Sequence, residues 1–170
     1  AGKILVAPLD WGWGHAARMI PVVHKLTQQF RAEVLLGISN ESGHMLRAEF
    51  PGLKTVTLPS YNIRYSAGNR QVWKIMFQMP RILYAIYRER QVLKRLMKKE
   101  NLGYVFSDHR YGLHHKDVWS ILFIHQLWVK FPPGLGWLGR LFNRLHPRML
   151  RRFDQLWVPD LPGRESLAGD

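Results

Sequence analysis

Residues 3–30 read KILVAPLDWGWGHAARMIPVVHKLTQQF, and three successive patterns are visible in them. The first seven residues form an apolar run, which is typical of a strand buried on both faces of a parallel sheet. A glycine-containing loop follows at 10–15. After the loop, apolar residues recur at helical steps of three and four, at Met19, Val22, Val23 and Leu26. The stretch therefore predicts a strand over 3–9, a loop, and a helix that runs to about Phe30.

The same alternation of strands and helices continues through the rest of the chain. Apolar runs predict five further strands, at 32–38, 54–58, 103–107, 119–125 and 153–158. Amphipathic stretches predict a short helix at 42–50, one long helix or two at 70–100, and a helix at 135–152. Pro80 and Pro147 are expected to kink or break the last two, because proline cannot donate the helical hydrogen bond. The predicted fold is α/β, a doubly wound, Rossmann-like parallel sheet, with ligands beyond the carboxyl ends of its strands.

The composition excludes several classes of protein. The chain has 170 residues, 46% of them hydrophobic, which is typical of one globular domain, and we assign residues 1–160 to it. Residues 161–170 are expected to begin a linker to a second domain. Cysteine is absent, which excludes disulfides, cysteine-ligated zinc and a thiol nucleophile. No apolar run approaches the roughly 18 to 20 residues of a membrane-spanning helix.

Two segments carry the entire net charge of +13. Residues 70–100 contain nine Lys or Arg against Glu89 and Glu100, and residues 130–152 contain six and no acid. The rest of the chain is neutral. A charge distribution of this kind implies an anionic partner surface, either lipid head groups or nucleic acid phosphates.

The loop after the first strand satisfies the G-x-G-x-x-A pattern of dinucleotide-binding domains, from Gly12 to Ala17. That pattern lets the backbone approach a pyrophosphate at a helix N-terminus, and the bulky Trp11 and Trp13 hinder such an approach. The acid expected after the second strand comes late, at Glu41. Two interpretations of this loop stay open beside the catalytic one that His15 offers. The loop could belong to a dinucleotide-dependent oxidoreductase domain, or its glycines could only form a tight turn.

His15 lies in the first turn of the predicted helix, where the positive end of the helix dipole favours the neutral imidazole. A neutral imidazole can act as a general base toward a hydroxyl when a second group, often a carboxylate, fixes its tautomer. Asp108, at the carboxyl end of the fourth predicted strand, is placed to reach across the crevice and do this. The alternatives are that His15 caps or packs and that Asp108 caps a turn.

The glycine loop also carries a resemblance to a known family. The run Ile4–Pro8 followed by Gly12–Pro21 resembles the amino-terminal loop of GT-B glycosyltransferases, and it is similar to the bacterial group related to the N-acetylglucosaminyltransferase of the lipid-linked peptidoglycan precursor. The resemblance covers essentially the whole chain as the acceptor-side half of a two-domain GT-B architecture. Two features depart from the family pattern. The proline that commonly follows the histidine by three positions is six positions away, with Arg18 between, and the nucleotide-sugar half is missing.

The resemblance implies the acceptor-binding domain of an inverting, metal-independent glycosyltransferase, a hexosyltransferase without a cofactor. His15 is then placed at the acceptor hydroxyl, and the aspartate that pairs with this histidine in plant-type relatives maps onto Asp108. A nucleotide sugar is the implied co-substrate, bound mainly by the missing domain, so these residues alone are expected to be inactive. The implied acceptor is lipid-linked or membrane-associated, and the implied location is the cytoplasmic face of a membrane, with peripheral attachment.

Basic and imidazole side chains crowd the loop that follows the fourth predicted strand. His109, Arg110 and Lys116 are expected to contact an anionic group such as an acceptor phosphate, unless this loop is only solvated. Adjacent His114 and His115 point in different directions on any regular element, so no metal site is expected. The other predicted acceptor-binding residues lie in the glycine loop and after the third strand: Gly12, Gly14, Arg18, Asn62 and Arg64.

Both basic segments also contain aromatic and apolar residues. Over 138–153, the apolar residues share one face of the predicted helix and the arginines another, which is typical of a helix in a membrane interface. The predicted membrane-interface set is Trp73, Phe77, Arg140, Phe142, Arg144 and Arg148. Ordinary packing of the apolar face on the sheet is the alternative. A nucleic-acid-binding module would also use basic and aromatic residues, but the chain has no recognised nucleic-acid motif, and this partner is not expected.

Overall fold

A computed structural model describes residues 2–10, 13–39, 42–62, 71–125 and 136–159. Gly12, Arg64 and the expected linker at 161–170 lie outside these ranges. The strands are β1 (Lys3–Ala7), β2 (Val34–Ile38), β3 (Lys54–Thr57), β4 (Leu102–Asp108), β5 (Trp119–Phe123) and β6 (Gln155–Trp157). The helices are α1 (Trp13–His24), extended by a π-helical turn over Lys25–Gln29, α2 (Ser42–Glu49), α3 (Gln71–Glu100) and α4 (Gly136–Leu150).

The six strands form one parallel sheet in the order β3-β2-β1-β4-β5-β6. The chain builds outward from β1 to β3, then crosses back and builds from β4 to β6, which confirms the predicted doubly wound, Rossmann-like sheet. The reversal lies between β1 and β4, whose register pairs Ala7 with Ser107. The loops that follow these two strands therefore begin side by side, at the position of the ligand crevice in such sheets.

Helices cover both faces of the sheet because successive residues of a strand point in opposite directions. Leu5 of β1 packs in a core cluster with Leu93 of α3. The next residue, Val6, packs on the other face with Met19 of α1 and Leu46 of α2. The run of buried apolar residues in β1 is thus explained by a layer of helices on each side.

Helix α3 runs without interruption from Gln71 to Glu100, so the open choice between one helix and two is resolved in favour of one. Pro80 lies inside α3, and Pro147 lies inside α4. Neither proline ends its helix. A proline removes one intrahelical hydrogen bond, and the packing of a long amphipathic helix can hold the segments on either side together.

The face of α3 that meets the sheet is narrower than its apolar pattern predicts. Its buried residues recur at helical steps, at Ala85, Glu89, Leu93, Leu96 and Glu100. Leu83, which belongs to the predicted apolar pattern, is 55% exposed. The buried face of α3 therefore contains two carboxylates, while apolar and aromatic side chains elsewhere on the helix face solvent. Each buried acid requires a partner.

The loop after β4 rests directly on α3 at Gly112. A Cβ atom on this residue would lie 2.4 Å from the carbonyl oxygen of Ile86 and 2.6 Å from Cβ of Glu89. Real Cβ atoms do not approach other atoms so closely, and a main-chain oxygen cannot move aside as a flexible side chain can. The absence of a side chain at Gly112 therefore sets the distance between α3 and the crevice edge of the sheet.

Gly112→Ala is expected to lower the free energy of unfolding by about 2 kcal/mol, the usual range for forcing an extra carbon into a packed site. Gly52→Ala is the matched control, since a Cβ there would meet nothing within 4 Å. Urea denaturation of the two variants and the wild type measures the difference. Equal stability of the two variants would show that the loop and α3 can separate without cost.

Candidate active site

His15 and Asp108 meet at the reversal point of the sheet. His15 lies in the first turn of α1, and Asp108 is the last residue of β4. Nδ1 of His15 donates a 2.8 Å hydrogen bond to Oδ2 of Asp108, and both side chains are buried. A neutral imidazole that donates through Nδ1 to an ionised carboxylate keeps a lone pair on Nε2. This is the arrangement of a general base whose tautomer is held by an acid.

Asp108 is contacted on both carboxylate oxygens. Nδ1 of His109 donates to Oδ1 over 2.8 Å, and Nε of Arg18 lies 3.6 Å from Oδ2. Burial alone would raise the pKa of this aspartate, but the hydrogen bonds from His109 and His15 outweigh it. The pKa of Asp108 therefore lies below its ordinary value of 3.8, and the carboxylate stays ionised at neutral pH.

His109 has a left-handed backbone, with φ at 55°. Successive strand residues normally point to opposite faces, and this conformation is what lets the side chains of Asp108 and His109 meet. It costs a residue with a Cβ atom on the order of 1 kcal/mol or more. Strain of this kind concentrates at functional sites, where the surrounding contacts maintain it.

A third imidazole, which was not predicted from the sequence, lies beside His15 and His109. The ring centroid of His125 is 4.4 Å from that of His109 and 6.2 Å from that of His15. Partial burial, with the nearby His109 and Arg18, lowers the pKa of His125 below its ordinary value of 6.5. The signal was available in the sequence, because His125 follows β5, and β5 is the neighbour of β4.

The structure thus brings four of the predicted site residues together: His15, Asp108, Arg18 and His109. The guanidinium carbon of Arg18 also lies 5.8 Å from the ring centroid of Phe123. A Cβ added at Gly14 would meet no described atom within 4 Å, so the helix start beside His15 is open there. Among the described residues, one ligand atom each from His15, Asp108 and His109 lie within 4.8 Å of one another, a set that could also hold a metal ion.

Arg110 lies in the protein interior, and the prediction that it contacts an anionic acceptor is wrong. Its side chain has 0% exposure, and Nη1 donates to Oε1 of Glu89 over 2.8 Å. The guanidinium also donates to acceptors near the ends of three strands: the carbonyl oxygens of Pro8 and Pro59 and the hydroxyl of Ser39. A guanidinium buried among these partners is inaccessible to a ligand from solution.

Glu89 completes the buried network from α3. It accepts hydrogen bonds from the hydroxyl of Tyr61 over 2.7 Å and from the N–H of Gly112 over 3.0 Å. Burial raises the pKa of Tyr61 well above its ordinary value, so the phenol keeps the proton that it donates. Because Arg110 comes two residues after Asp108, this network fixes the chain immediately beyond the candidate base and its acid.

Two further predicted acceptor-binding residues, Asn62 and Lys116, lie at the surface. Asn62 has a left-handed φ of 45°. His114, from the same loop as Lys116, has Nε2 at 2.6 Å from Nη2 of Arg90, and its ring lies edge-on to that of Phe153. Partial burial and Arg90 lower the pKa of His114 to about 4. It therefore accepts a hydrogen bond as a neutral imidazole at physiological pH.

The predicted membrane-interface residues differ in their surroundings. Phe77 is 83% exposed. Phe142 is partly buried, and its ring stacks on that of the buried His146 at 5.2 Å. The side chain of Trp73 lies outside what the structure describes. The three arginines of this set are exposed on α4: Arg140, Arg144 and Arg148.

The chain is similar in structure to SsfS6, a glycosyltransferase from Streptomyces sp. SF2575, with a TM-score of 0.56 and 15% sequence identity. The similarity covers 88% of this chain and 44% of SsfS6, so the chain spans less than half of that protein. It has the fold of a Rossmann-like half of a GT-B glycosyltransferase, as the resemblance in the sequence implied. Neither a protein-family model nor a curated protein matches the chain.

Glu89→Gln is expected to lower the free energy of unfolding by about 3 kcal/mol or more, because it leaves the buried guanidinium of Arg110 without its counter-charge. Glu33→Gln is the matched control. Glu33 also faces a cation, Lys3 at 3.5 Å, but its side chain is 75% exposed, so little change is expected. Urea denaturation measures both variants. A loss no larger for Glu89 than for Glu33 would contradict the structural role of the ion pair.

Proposed function

We propose that this chain is the acceptor-binding half of an inverting glycosyltransferase that uses no metal ion for the transfer. The observation that carries the proposal is the buried 2.8 Å hydrogen bond between His15 and Asp108. It lies at the reversal point of a sheet with the fold of a GT-B half, where a ligand crevice is expected. A group that must remove a proton from a bound hydroxyl belongs at this position.

In the proposed reaction, the acceptor hydroxyl oxygen forms a bond to the anomeric carbon of a nucleotide hexose while Nε2 of His15 takes the hydroxyl proton. The bond from that carbon to the nucleotide phosphate breaks, and its electron pair leaves with the phosphate oxygen. Attack on the face opposite the leaving group inverts the anomeric configuration. Asp108 stabilises the imidazolium formed on His15, as the acid of a histidine pair does.

Two neighbours of Asp108 act as positioning residues in this proposal. His109 and Arg18 approach different oxygens of the carboxylate, which limits its rotation. The hydrogen bond from Nδ1 of His15 to Oδ2 of Asp108 then holds the imidazole ring in one tautomer. The nucleotide sugar is assigned to a second domain, so we expect the 170 residues alone to bind an acceptor without transferring a sugar.

The start of α1 favours this function over a dinucleotide site. In dinucleotide-binding domains the pyrophosphate lies at the N-terminus of the first helix. Here the ionised carboxylate of Asp108 is hydrogen-bonded to His15 in that first turn. Its negative charge would repel a pyrophosphate, whereas a neutral hydroxyl is accepted without this cost.

We further propose that the acceptor is lipid-linked or membrane-associated and that the protein works peripherally at the cytoplasmic face of a membrane. Support comes from α3 and α4, where exposed apolar residues stand among exposed basic ones. Phe77, Leu141 and Leu145 are 83%, 49% and 44% exposed. Each basic residue near an anionic leaflet contributes about 1 kcal/mol. None of the described helices is both long and apolar enough to cross a membrane.

His15→Ala is expected to lower turnover by roughly 100-fold or more in a protein that carries both halves, the usual contribution of a general base. Asp108→Asn should cost less, and donor binding should change little in either variant. Steady-state assays with a nucleotide sugar and an acceptor measure this, with thermal melting as a check on folding. His44→Ala is the control, since His44 is exposed on α2. Near-normal turnover of His15→Ala would refute the assignment.

Reversing the charge of Arg140 and Arg144 is expected to remove most binding to vesicles that contain anionic lipid. Phe77→Ala should weaken binding without lowering the melting temperature, because this side chain is 83% exposed. Vesicle cosedimentation at rising salt provides the measurement.

The matched control for this experiment is Lys25→Glu with Arg47→Glu, which makes the same charge change at exposed positions outside the two basic segments. Equal losses in the two double variants would mean that net charge alone is sensed. Retention of nucleic acid but not of anionic vesicles would favour a nucleic-acid-binding module instead.

A further inference from the structure

The carboxylate of Asp108 lies between two imidazole nitrogens at the crevice. One nitrogen of His15, one of His109 and an oxygen of Asp108 lie within 4.8 Å of one another. Two imidazoles and a carboxylate form a donor set that zinc prefers. We propose that these three side chains bind one Zn²⁺ ion, and that the ion inhibits the sugar transfer proposed above instead of taking part in it.

The distances in the cluster suit an ion that replaces the present hydrogen bonds. Nδ1 of each ring lies 2.8 Å from an oxygen of Asp108. Ligand atoms around a tetrahedral zinc stand roughly 3.4 Å apart, because Zn–N and Zn–O bonds measure about 2.0 to 2.2 Å. Small outward rotations of the two rings therefore make room for the ion, and the fourth position is left to water.

The backbone is bent in the way that this ligand set requires. Consecutive strand residues point to opposite faces, so Asp108 and His109 could not both reach one ion from a regular strand. The left-handed φ of 55° at His109 removes this obstacle, and it brings the two side chains into contact. Burial of Asp108 and His15 also keeps competing water from the two ligands.

Zinc on Nδ1 of His15 and catalysis through Nε2 of His15 exclude each other. A neutral imidazole carries one proton, and when Nδ1 binds the ion that proton moves to Nε2. An Nε2 that already carries a proton cannot accept one from an acceptor hydroxyl. The inhibition therefore rests on the proposed function, whereas the binding of zinc does not.

Arg18 provides a direct test because its charge opposes the ion. Its Nε lies 3.6 Å from Oδ2 of Asp108, and its guanidinium also lies against the ring of Phe123. Arg18→Met keeps an apolar side chain on Phe123 and removes the charge. Zinc should then bind at least threefold more tightly. Zinc held by unrelated surface histidines would not respond to this substitution.

Zinc titration of the purified protein, in competition with a chromogenic chelator at neutral pH, measures the affinity. We expect one zinc per wild-type chain and at least tenfold weaker binding in His15→Asn and in His109→Asn. Asparagine tolerates the left-handed backbone of His109, so that variant should keep the fold. His44→Asn, on the exposed face of α2, should bind zinc as the wild type does.

The results separate the site from the inhibition. Absence of zinc binding by the wild type, or wild-type affinity in both His15→Asn and His109→Asn, would overturn the site and leave the role of His15 as a base untouched. In the transfer assay, on a protein that carries both halves, zinc should inhibit the wild-type sequence, and a chelator should restore activity. Stoichiometric zinc binding with unchanged transfer would overturn the inhibition and, with it, the role of His15 as the base.

Discussion

The buried ion pair between Arg110 and Glu89 is the contact on which the geometry of the crevice depends. A guanidinium that is removed from water loses its hydration, and this cost is offset only when acceptors surround it. Here the acceptors come from the segments after β1, β2 and β3 and from α3. Elements that are distant in the sequence are thereby held to one side chain. Asp108 lies two residues before Arg110, so the same contacts set its position.

The charge of Asp108 determines the electrostatics of the site. Asp108 is buried, which by itself would favour its neutral form, and two imidazoles reverse that preference by donating to it. The fixed negative charge then orients Nδ1 of His15 and opposes an anion at the start of α1. In the two proposals, this carboxylate serves either a proton-transfer reaction or a metal ion, and the tautomer of His15 determines which of the two is possible.

Helices α3 and α4 show how the helical pattern of a sequence can mislead. A periodic run of apolar residues identifies a helix, but the buried face is chosen by what the sheet and the neighbouring loops present. The face of α3 that meets the sheet includes Glu89 and Glu100, because Arg110 and Lys54 supply partners for these two carboxylates. Leu141 and Leu145 on α4 remain about half exposed beside arginines. These two surfaces are the basis of the proposed membrane contact.

The sequence by itself determined the order of strands and helices, the doubly wound sheet, and the candidacy of His15 and Asp108. Apolar runs and helical periodicity are local properties, and the ends of two adjacent parallel strands must meet at one edge of the sheet. Only the tertiary structure decided that Arg110 is buried and that His109 turns toward Asp108. The partners of Arg110 lie 21 to 102 residues away, and an arginine in a polar loop looks the same in sequence whether water or protein surrounds it. Desolvation and pairing over such separations arise only when the whole chain has folded, because they depend on which distant atoms fill the space around the charge.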